Sequence, residues 1–267
     1  TSNEDDPQPS DWGGFDYQTP ENGELSTLSN TEILYAHQAF HINGRNITFN
    51  GCRIAHSYDY GIRIQSTIFT TSINNTIIEL SGSYGLNMEE GTVIISGGII
   101  FNNNSYGINV ESNVLLTADD LIVSSNNGHG LIIDGAQGTI ITDSRFVSNT
   151  GNGIHIEGAN PSFTNCLIAN NSLAGVRVDE QTSDPTFTYC TIAENDGAGY
   201  ICSHEGGSGN VSFSQIIGNG APGVIVTNSV PSFNYNDIYY NNFEEGTIMT
   251  ASFGSNDWRC NGTQTVS

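Results

Sequence analysis

A glycine followed by alternating apolar residues recurs along most of the chain, at spacings of 22 to 24 residues. Three of these units are Gly61-Ile-Arg-Ile, Gly107-Ile-Asn-Val and Gly153-Ile-His-Ile. Apolar residues one and three positions after the glycine, with mostly polar residues between them, are typical of a strand with one buried face. A fixed period of this length indicates a solenoid, in which each repeat stacks on the next. The ten anchors of the series are Ala39, Gly61, Gly85, Gly107, Gly130, Gly153, Gly175, Gly199, Gly223 and Gly246.

Asparagine stands four residues before the glycine in seven of these repeats. Asparagine tolerates the left-handed backbone of a tight corner, and its amide can hydrogen-bond to an identical amide one coil away. Stacked identical turns with a short period and no helical patterning predict an all-β parallel β-helix of about ten coils. The predicted asparagine ladder contains Asn103, Asn126, Asn149, Asn171, Asn195, Asn219 and Asn242.

The repeat unit is clearest in the run Ile-Ala-Asn-Asn-Ser-Leu-Ala-Gly-Val-Arg-Val, from Ile168 to Val178. It resembles the units of right-handed parallel β-helix repeat proteins, in the pectate lyase-like superfamily. The resemblance covers about residues 33–250, and it implies the fold. It does not imply one activity, because that superfamily includes lyases, hydrolases, epimerases, adhesins and structural proteins.

The two ends of the chain depart from the repeat. Residues 1–11 are acidic, contain proline and lack apolar residues, so a flexible arm is expected there. Residues 12–32 are expected to cap the N-terminal end of the β-helix, which spans 33–250, and residues 251–267 are expected to form a C-terminal cap or tail. Caps are needed because a β-helix leaves unpaired strand edges at both ends.

The charge balance limits the partners of the protein. The chain has 28 acidic residues, six arginines and no lysine, for a formal net charge of −22. Nucleic acid is excluded as a partner because there are too few basic groups to neutralise phosphates. No apolar run is long enough for membrane insertion. Six Asn-X-Ser/Thr sites predict an extracellular or cell-surface glycoprotein, and they begin at Asn46, Asn74, Asn103, Asn170, Asn210 and Asn261.

Five cysteines leave at least one without an intrachain partner. Cys52, Cys166 and Cys190 share the position nine residues before the glycine, which predicts inward-facing thiols that pack as small apolar groups. A disulfide between Cys166 and Cys190 remains open, and so does a pairing of Cys202 with Cys260.

A carboxylate follows the glycine by four residues on five consecutive coils. Like charges stacked about 4.8 Å apart repel each other unless a cation or donor lies between them. Ca²⁺ accepts carboxylate oxygens in variable geometry, so this ladder is a candidate calcium site. The alternative is a solvated strand end that keeps the surface soluble. The ladder contains Glu89, Glu111, Asp134, Glu157 and Asp179.

Two further groups of side chains are candidates for glycan recognition. Tyr60, Tyr84, Tyr106 and His129 stand one residue before the glycine on consecutive coils, and an aromatic stack can serve as a sugar-binding platform. Space-filling at a corner is the alternative for this column. The resemblance implies that a lyase would need an arginine near acidic groups, and the weak catalytic candidates are His155, Glu157, Arg177 and Asp179.

Three functions remain open at this point. The first is a non-catalytic extracellular structural or adhesive protein that assembles with itself into a fibre or surface layer, through its ends or its arm. The second is a calcium-assisted glycan-binding module. The third is a polysaccharide lyase or glycoside hydrolase acting on an acidic polysaccharide. The uniform repeat length favours the first, because catalysts on this fold build a cleft from inserted loops.

Overall fold

The computed structural model describes residues 6–18, 25–203, 207–242, 252–253 and 257–259. These residues form a right-handed parallel β-helix of about nine turns, close to the predicted ten. The secondary structure of the described residues is made of strands and turns, without a helix. Accordingly, they include no helix with the length and apolar character needed to cross a membrane.

Each coil contributes three short strands, and the first two run on without a break in three of the coils. The first strands are β1 (Phe15–Tyr17), β4 (Phe40–Ile42), β13 (Leu131–Asp134), β16 (Ile154–Glu157), β19 (Val176–Asp179), β22 (Tyr200–Cys202) and β25 (Val224–Val226). The second strands are β2 (Ser26–Ser29), β5 (Ile47–Asn50), β14 (Gln137–Thr142), β17 (Asn160–Thr164), β20 (Thr186–Thr188), β23 (Asn210–Ser212), β26 (Ser232–Asn234) and β28 (Ser252–Phe253). The continuous first and second strands are β7 (Ile62–Asn74), β9 (Leu86–Ser96) and β11 (Ile108–Asp119).

The third strands form a separate sheet. They are β3 (Glu32–Leu34), β6 (Arg53–Ala55), β8 (Ile77–Glu79), β10 (Ile99–Phe101), β12 (Ile122–Ser124), β15 (Arg145–Val147), β18 (Leu167–Ala169), β21 (Thr191–Ala193), β24 (Gln215–Ile217), β27 (Asp237–Tyr239) and β29 (Asp257–Arg259).

Every strand pairs in parallel with its counterpart one coil away, so equivalent residues of successive repeats stack. In the first strands, for example, Ile154 pairs with Val176 and His155 pairs with Arg177. The residues one and three positions after the glycine point inward, as Ile154 and Ile156 do, and both are fully buried. Each fully buried aliphatic side chain of this kind contributes about 1.5–3 kcal/mol of hydrophobic stabilisation.

The recurring glycine is required by packing. A Cβ atom on Gly153 would lie 2.5 Å from the Ile168 side chain, 2.6 Å from Nδ2 of Asn171 and 2.8 Å from the carbonyl oxygen of Gly175. Any side chain at Gly153 would therefore displace Ile168 and Asn171 of the same coil and the backbone at Gly175, where the next coil begins. This close approach explains why glycine recurs at this position.

The predicted asparagine ladder is present and buried. Asn126, Asn149 and Asn171 are fully buried, and each amide Nδ2 donates to the Oδ1 of the asparagine in the next coil. The prediction of Asn242 as the last member was wrong: Asn219 donates to Oδ1 of Asn241, because the last described turn places the amide one residue earlier.

The ladder stops at Asn103. In the two preceding coils its place is taken by Ser81 and Ser57, whose hydroxyls are buried and have no hydrogen-bond partner among the described residues.

The cysteines within the described residues are buried free thiols. The thiol of Cys166 donates to the carbonyl oxygen of Thr164 at 3.4 Å, and Cys190 makes the equivalent contact with Thr188. The hydrogen bond with Cys190, together with burial, raises the pKa of Cys166. Cys202 is free, and its suggested partner Cys260 lies outside the described residues.

Residues of the predicted N-terminal cap lie against the first coils. The Phe15 ring stacks on the buried Phe40 ring with centroids 5.1 Å apart, and Nε1 of Trp12 donates to the carbonyl oxygen of Leu34 at 2.8 Å. β1 pairs with β4 and β2 pairs with β5, so regular stacking begins before residue 33. Most of the predicted C-terminal cap, and residues 1–5 of the arm, lie outside the described residues.

Candidate functional site

The first strands present a continuous outward face, because the residue two positions after the glycine points away from the core. In the order of the coils these outward residues are His41, Arg63, Asn87, Asn109, Ile132, His155, Arg177, Ile201 and Ile225. The carboxylate ladder lies beside this column, at the ends of the same strands. The predicted catalytic candidates therefore lie on one face.

His155, Arg177 and Asp179 form a compact cluster on β16 and β19. Nε of Arg177 donates to Oδ2 of Asp179 at 2.6 Å, and Nε2 of His155 lies 3.0 Å from the same oxygen. The hydroxyl of Ser203, one coil further, donates to Oδ1 of Asp179 at 2.6 Å. Nε2 of His155 also lies 3.3 Å from Oε1 of Glu157. Because both neighbours of Nε2 are carboxylates, that nitrogen carries the proton.

The electrostatics of this cluster favour an ionised Asp179 carboxylate and a neutral His129 ring. Burial alone would raise the pKa of Asp179, but hydrogen bonds from Arg177, Ser203 and His155 outweigh it and hold the pKa well below its usual range. The neighbouring His129 accepts the backbone N–H of Asn152 at Nδ1. Burial, with smaller contributions from the positive charges of His155 and Arg177, lowers the pKa of His129 to about 4.

A second cluster lies four coils earlier on the same face. Nε and Nη2 of Arg63 donate to the two carboxylate oxygens of Glu89 at 2.6 and 3.1 Å. Gln65 and Asn87 also donate to Glu89. Burial would raise the pKa of Glu89, but these donors lower it. His41 bonds to Oε1 of Gln65 at 2.7 Å, so the hydrogen-bonded network extends back to the first coils.

The predicted carboxylate ladder is in register from Asp134 to Asp179, whereas a register shift after Val110 interrupts the strand pairing beside Glu89 and Glu111. The two ends of the ladder are neutralised. Asp134 pairs with Glu157, and Glu157 pairs with Asp179. Arg63 bonds Glu89 at one end, and Arg177 bonds Asp179 at the other. Burial, together with the charge of Glu89, raises the pKa of Glu111 in the middle. Among the described residues, the metal-ligating side chains whose donor atoms all lie within 4.8 Å of each other are His155, Glu157 and Asp179.

The predicted aromatic column is stacked ring on ring. The Tyr84 and Tyr106 rings are nearly parallel at 4°, with centroids 5.1 Å apart, and Tyr106 and His129 lie 5.0 Å apart at 22°. Tyr60 is tilted by 40° against Tyr84, with the guanidinium of Arg63 over its ring. The rings therefore cover each other's faces and present their edges to solvent. Glycan binding by this column stays a prediction, but it would have to use ring edges and hydroxyls.

The six predicted glycosylation sites differ in accessibility. Asn103 is 1% exposed and its Nδ2 donates to Asn126, so a glycan on that nitrogen is incompatible with the folded ladder. Asn170 is exposed at a corner with φ of 57°. Asn46, Asn74 and Asn210 are half-buried in or beside second strands, and Asn261 lies outside the described residues. Glycosylation at the other sites stays a prediction.

Two grooves lie at corners of the coils, away from the carboxylate ladder. One, of about 340 Å³, lies beside Arg145 and Tyr189. The other, of about 620 Å³, lies beside Tyr58 and Asp59. Neither was predicted from the sequence, because the residues that line them belong to turns and to the first positions of third strands, which vary between repeats. The available signal was Gly82, because the position three residues before the glycine anchor otherwise carries a side chain in every coil from Tyr58 to Asp196, with glycine again only at Gly220.

Two family models match the chain. The model described as "Right handed beta helix region" matches residues 106–261, and the model described as "Periplasmic copper-binding protein (NosD)" matches residues 15–179. No curated protein has a matching sequence.

Solved structures with a similar fold act on acidic polysaccharides according to their names. Pectate lyase Pel9A is 14% identical with a TM-score of 0.66, and the match covers 94% of this chain and 72% of the lyase. The A-module of Azotobacter vinelandii mannuronan C-5 epimerase AlgE4 is 13% identical with a TM-score of 0.62, covering 89% and 87%. A mutant of the periplasmic alginate epimerase AlgG is 11% identical with a TM-score of 0.63, covering 92% and 75%. At these identities the likeness establishes the fold alone.

Proposed function

The chain belongs to the right-handed β-helix family and to the NosD family, and we propose that it is an exported, non-catalytic adhesive rod that binds polysaccharide. The periplasmic description of the NosD family supports export. The polysaccharide-directed names of the structural neighbours support a glycan as the ligand.

One observation carries the non-catalytic part of this proposal: the basic side chains Arg63, His155 and Arg177 of the outward face are each engaged with a carboxylate. Both arginines of this face hold a carboxylate through Nε at 2.6 Å, and His155 directs its proton to two carboxylates. A catalytic acid or base must instead be free to exchange a proton with substrate. Side chains that are ion-paired and hydrogen-bonded in this way are held in fixed positions on the surface.

The shape of the face supports the same conclusion. Successive first strands follow each other in register from β13 to β25, without a long insertion among the described residues. A face built this way is shallow, whereas a substrate that must be distorted or shielded from water needs an enclosing cleft. A long polymer can lie on a shallow face and make many weak contacts, which suits adhesion.

The described residues do not fit the copper implied by the NosD family name. The converging donors are one imidazole and two carboxylates, and the positive Arg177 guanidinium already occupies Oδ2 of Asp179. Copper prefers several imidazole nitrogens or sulfur ligands. The described cysteines are buried, with thiols directed at backbone carbonyl oxygens.

Calcium-assisted glycan binding remains part of the proposal, but with the ion at two carboxylates rather than along the whole ladder. Glu111 and Asp134 lie between the two ends that the arginines neutralise, and no arginine bonds either of them among the described residues. Two neighbouring carboxylates without a cationic partner favour a hard cation or a proton. We expect Ca²⁺ to act here.

Co-sedimentation with insoluble polysaccharides tests the function. The intact chain is mixed with cellulose, mannan and chitin, with calcium and with chelator, and with calcium pectate in calcium alone because a chelator dissolves that polymer, and the bound fraction is measured. Binding to at least one of them, with the polymer recovered unchanged, is the expected result. Failure to bind any polymer under either condition would contradict the adhesive role. Electron microscopy of the same samples tests the associated proposal that copies of the chain assemble into fibres or layers.

A second candidate function is favoured by the unpaired Nδ1 atom of His155. This nitrogen is buried and has no hydrogen-bond partner among the described residues, and Arg177 lies one coil away. In a lyase reaction the arginine would hold the uronate carboxylate and the imidazole would take the proton from the adjacent carbon, C5. The C4–O glycosidic bond breaks as the C4–C5 double bond forms, and the leaving oxygen takes a proton from water. Formation of an unsaturated uronate product, followed by ultraviolet absorbance, would establish this lyase function. His155→Ala should abolish it.

A further inference from the structure

We propose that the groove beside Tyr58 is a binding site for a neutral pyranose unit of a polysaccharide. This inference rests on the proposed adhesive function and names the part of the surface that contacts the glycan. The groove lies on the turns before the glycine anchors and has a volume of about 620 Å³. It is separate from the aromatic column and from the carboxylate ladder.

Tyr58 presents an open ring face, unlike the stacked aromatic column. The Tyr58 side chain is 61% exposed, and the His37 ring covers one of its faces at 5.1 Å and 18°. Because His37 belongs to the preceding coil, the opposite face of Tyr58 points toward the following coil. No other ring stacks on Tyr58 among the described residues.

A missing side chain leaves the space next to that face. Backbone amides of Tyr58, Gly82 and Asn104 each donate to the equivalent carbonyl oxygen one coil earlier, so these three residues occupy the same position in successive coils. A Cβ atom on Gly82 would lie 2.0 Å from the Tyr58 carbonyl oxygen, so the position is restricted to glycine. Tyr58 and Asn104 therefore flank a gap two coils wide, about 10 Å. A sugar ring stacked flat on an aromatic face fits such a gap.

Polar groups surround the gap where a sugar needs them. The Asp59 carboxylate and the side-chain amides of Asn102 and Asn104 line the groove, and none of them makes a side-chain hydrogen bond among the described residues. The exposed Leu80 side chain provides an apolar surface at the same groove. An aromatic face, a small apolar surface and unengaged planar polar groups together match the apolar face and hydroxyl rim of a pyranose.

The charge of the groove selects a neutral sugar. Its lining contains the Asp59 carboxylate and no basic side chain. Burial raises the pKa of Asp59, and the positive charges of His37 and Arg63 reduce that rise. The whole chain has a net charge of −22, so a polyuronate is repelled at long range as well as in the groove.

Isothermal titration calorimetry with defined tetrasaccharides tests the site. The probes are the β-1,4-linked tetrasaccharides of glucose, mannose and xylose, with tetragalacturonate as the acidic comparison. We expect at least one neutral probe to bind and tetragalacturonate to bind more weakly. Tyr58→Ala should weaken the neutral probe about tenfold, from loss of the stacking contact.

Matched variants keep the result interpretable. Tyr189 is 60% exposed, like Tyr58, but it lies beside the other groove with its ring tilted by 31° against Phe213. Tyr189→Ala should therefore leave affinity unchanged. Asn104→Ala, at the other wall of the gap, should also weaken binding, and thermal unfolding checks that each variant is folded.

Equal affinity of Tyr58→Ala and the unchanged chain for the neutral probe, or tighter binding of tetragalacturonate, would overturn the site. If Tyr58→Ala still co-sediments with a polysaccharide as the unchanged chain does, the site is wrong and the adhesive function stands. If the unchanged chain binds no polysaccharide or probe, both fail.

Discussion

Replacing Asn149 with alanine tests how much the asparagine ladder stabilises the rod. The side chain is fully buried. Its Nδ2 donates to Oδ1 of Asn171 at 3.0 Å and to the carbonyl oxygen of Val123 at 3.2 Å. Its Oδ1 accepts the backbone N–H of Asn126 at 3.1 Å and the Nδ2 of Asn126 at 3.0 Å. Nδ2 also contacts the carbonyl oxygen of Val147 at 3.2 Å, so its two protons are shared among three acceptors. Counted as four hydrogen bonds at about 1 kcal/mol each, two of which leave buried donors unpaired when lost, these contacts predict a loss of about 3–5 kcal/mol in unfolding free energy.

The loss should be measured by urea unfolding and, locally, by hydrogen exchange of the Asn126 amide. The local measurement is needed because stacked repeats can unfold in parts. Asn127→Ala is the control, since the exposed Asn127 side chain accepts one long bond, at 3.5 Å from Thr150. Its cost should stay below about 0.5 kcal/mol. The reasoning is refuted if Asn149→Ala costs less than about 1 kcal/mol, or if exchange of the Asn126 amide is unchanged.

Three further predictions concern stability. Because the pKa of Asp179 is lowered, its carboxylate stabilises the fold above its unfolded pKa of about 3.9, and this contribution is lost as the pH falls below that value. Arg177→Gln removes a donor that lowers this pKa, so between neutral and acid pH the urea midpoint should fall less in the variant than in the unchanged chain. Cys166→Ser should change the unfolding free energy by less than about 1 kcal/mol, because Ser144 holds the same position one coil earlier and its hydroxyl accepts a backbone N–H at 3.1 Å; a larger loss would show that the thiol contributes apolar packing. Ser81→Asn should extend the ladder by one coil and raise the unfolding free energy by about 1 kcal/mol, and a lower thermal midpoint would contradict this.

The repeat period predicted the fold because it fixes which residues stack. Once Gly153 and Gly175 are equivalent, the pairing of Ile154 with Val176 and the contact of Asn149 with Asn171 follow from the parallel register. The last coil was the exception. Counting four residues back from Gly246 predicted Asn242 as the final asparagine of the ladder. In the structure Asn219 bonds to Asn241 instead, one residue earlier.

The chemistry of the outward face was less predictable, because rotamers decide it. The register aligns the carboxylates, but it does not say which of them an arginine reaches. Arg63 reaches Glu89 in the next coil, whereas Arg177 bonds Asp179 in its own strand. In the same way, the sequence predicted a stacked aromatic column, but not that its stacking would leave only ring edges and hydroxyls for a ligand.

The Tyr58 groove could not be found from the strand pattern. Its residues belong to turns, where the repeat leaves side chains free to vary. The groove depends on a difference between coils: Tyr58 and Asn104 have large side chains, and Gly82 between them has none. Glycine at this position is visible in the sequence, but it occurs at both Gly82 and Gly220, and only the structure shows that Gly82 lies beside an exposed aromatic ring.

The central claim is that this chain binds polysaccharide without changing it. The most direct test is prolonged incubation of the unchanged chain and of His155→Ala with pectate, alginate and the neutral polymer that it binds best, followed by product analysis by ultraviolet absorbance, reducing ends and proton NMR. The account predicts polymers of unchanged length, saturation and sugar configuration with both proteins. Cleavage, elimination or epimerisation by the unchanged chain that His155→Ala abolishes would contradict it and establish an enzyme on this face.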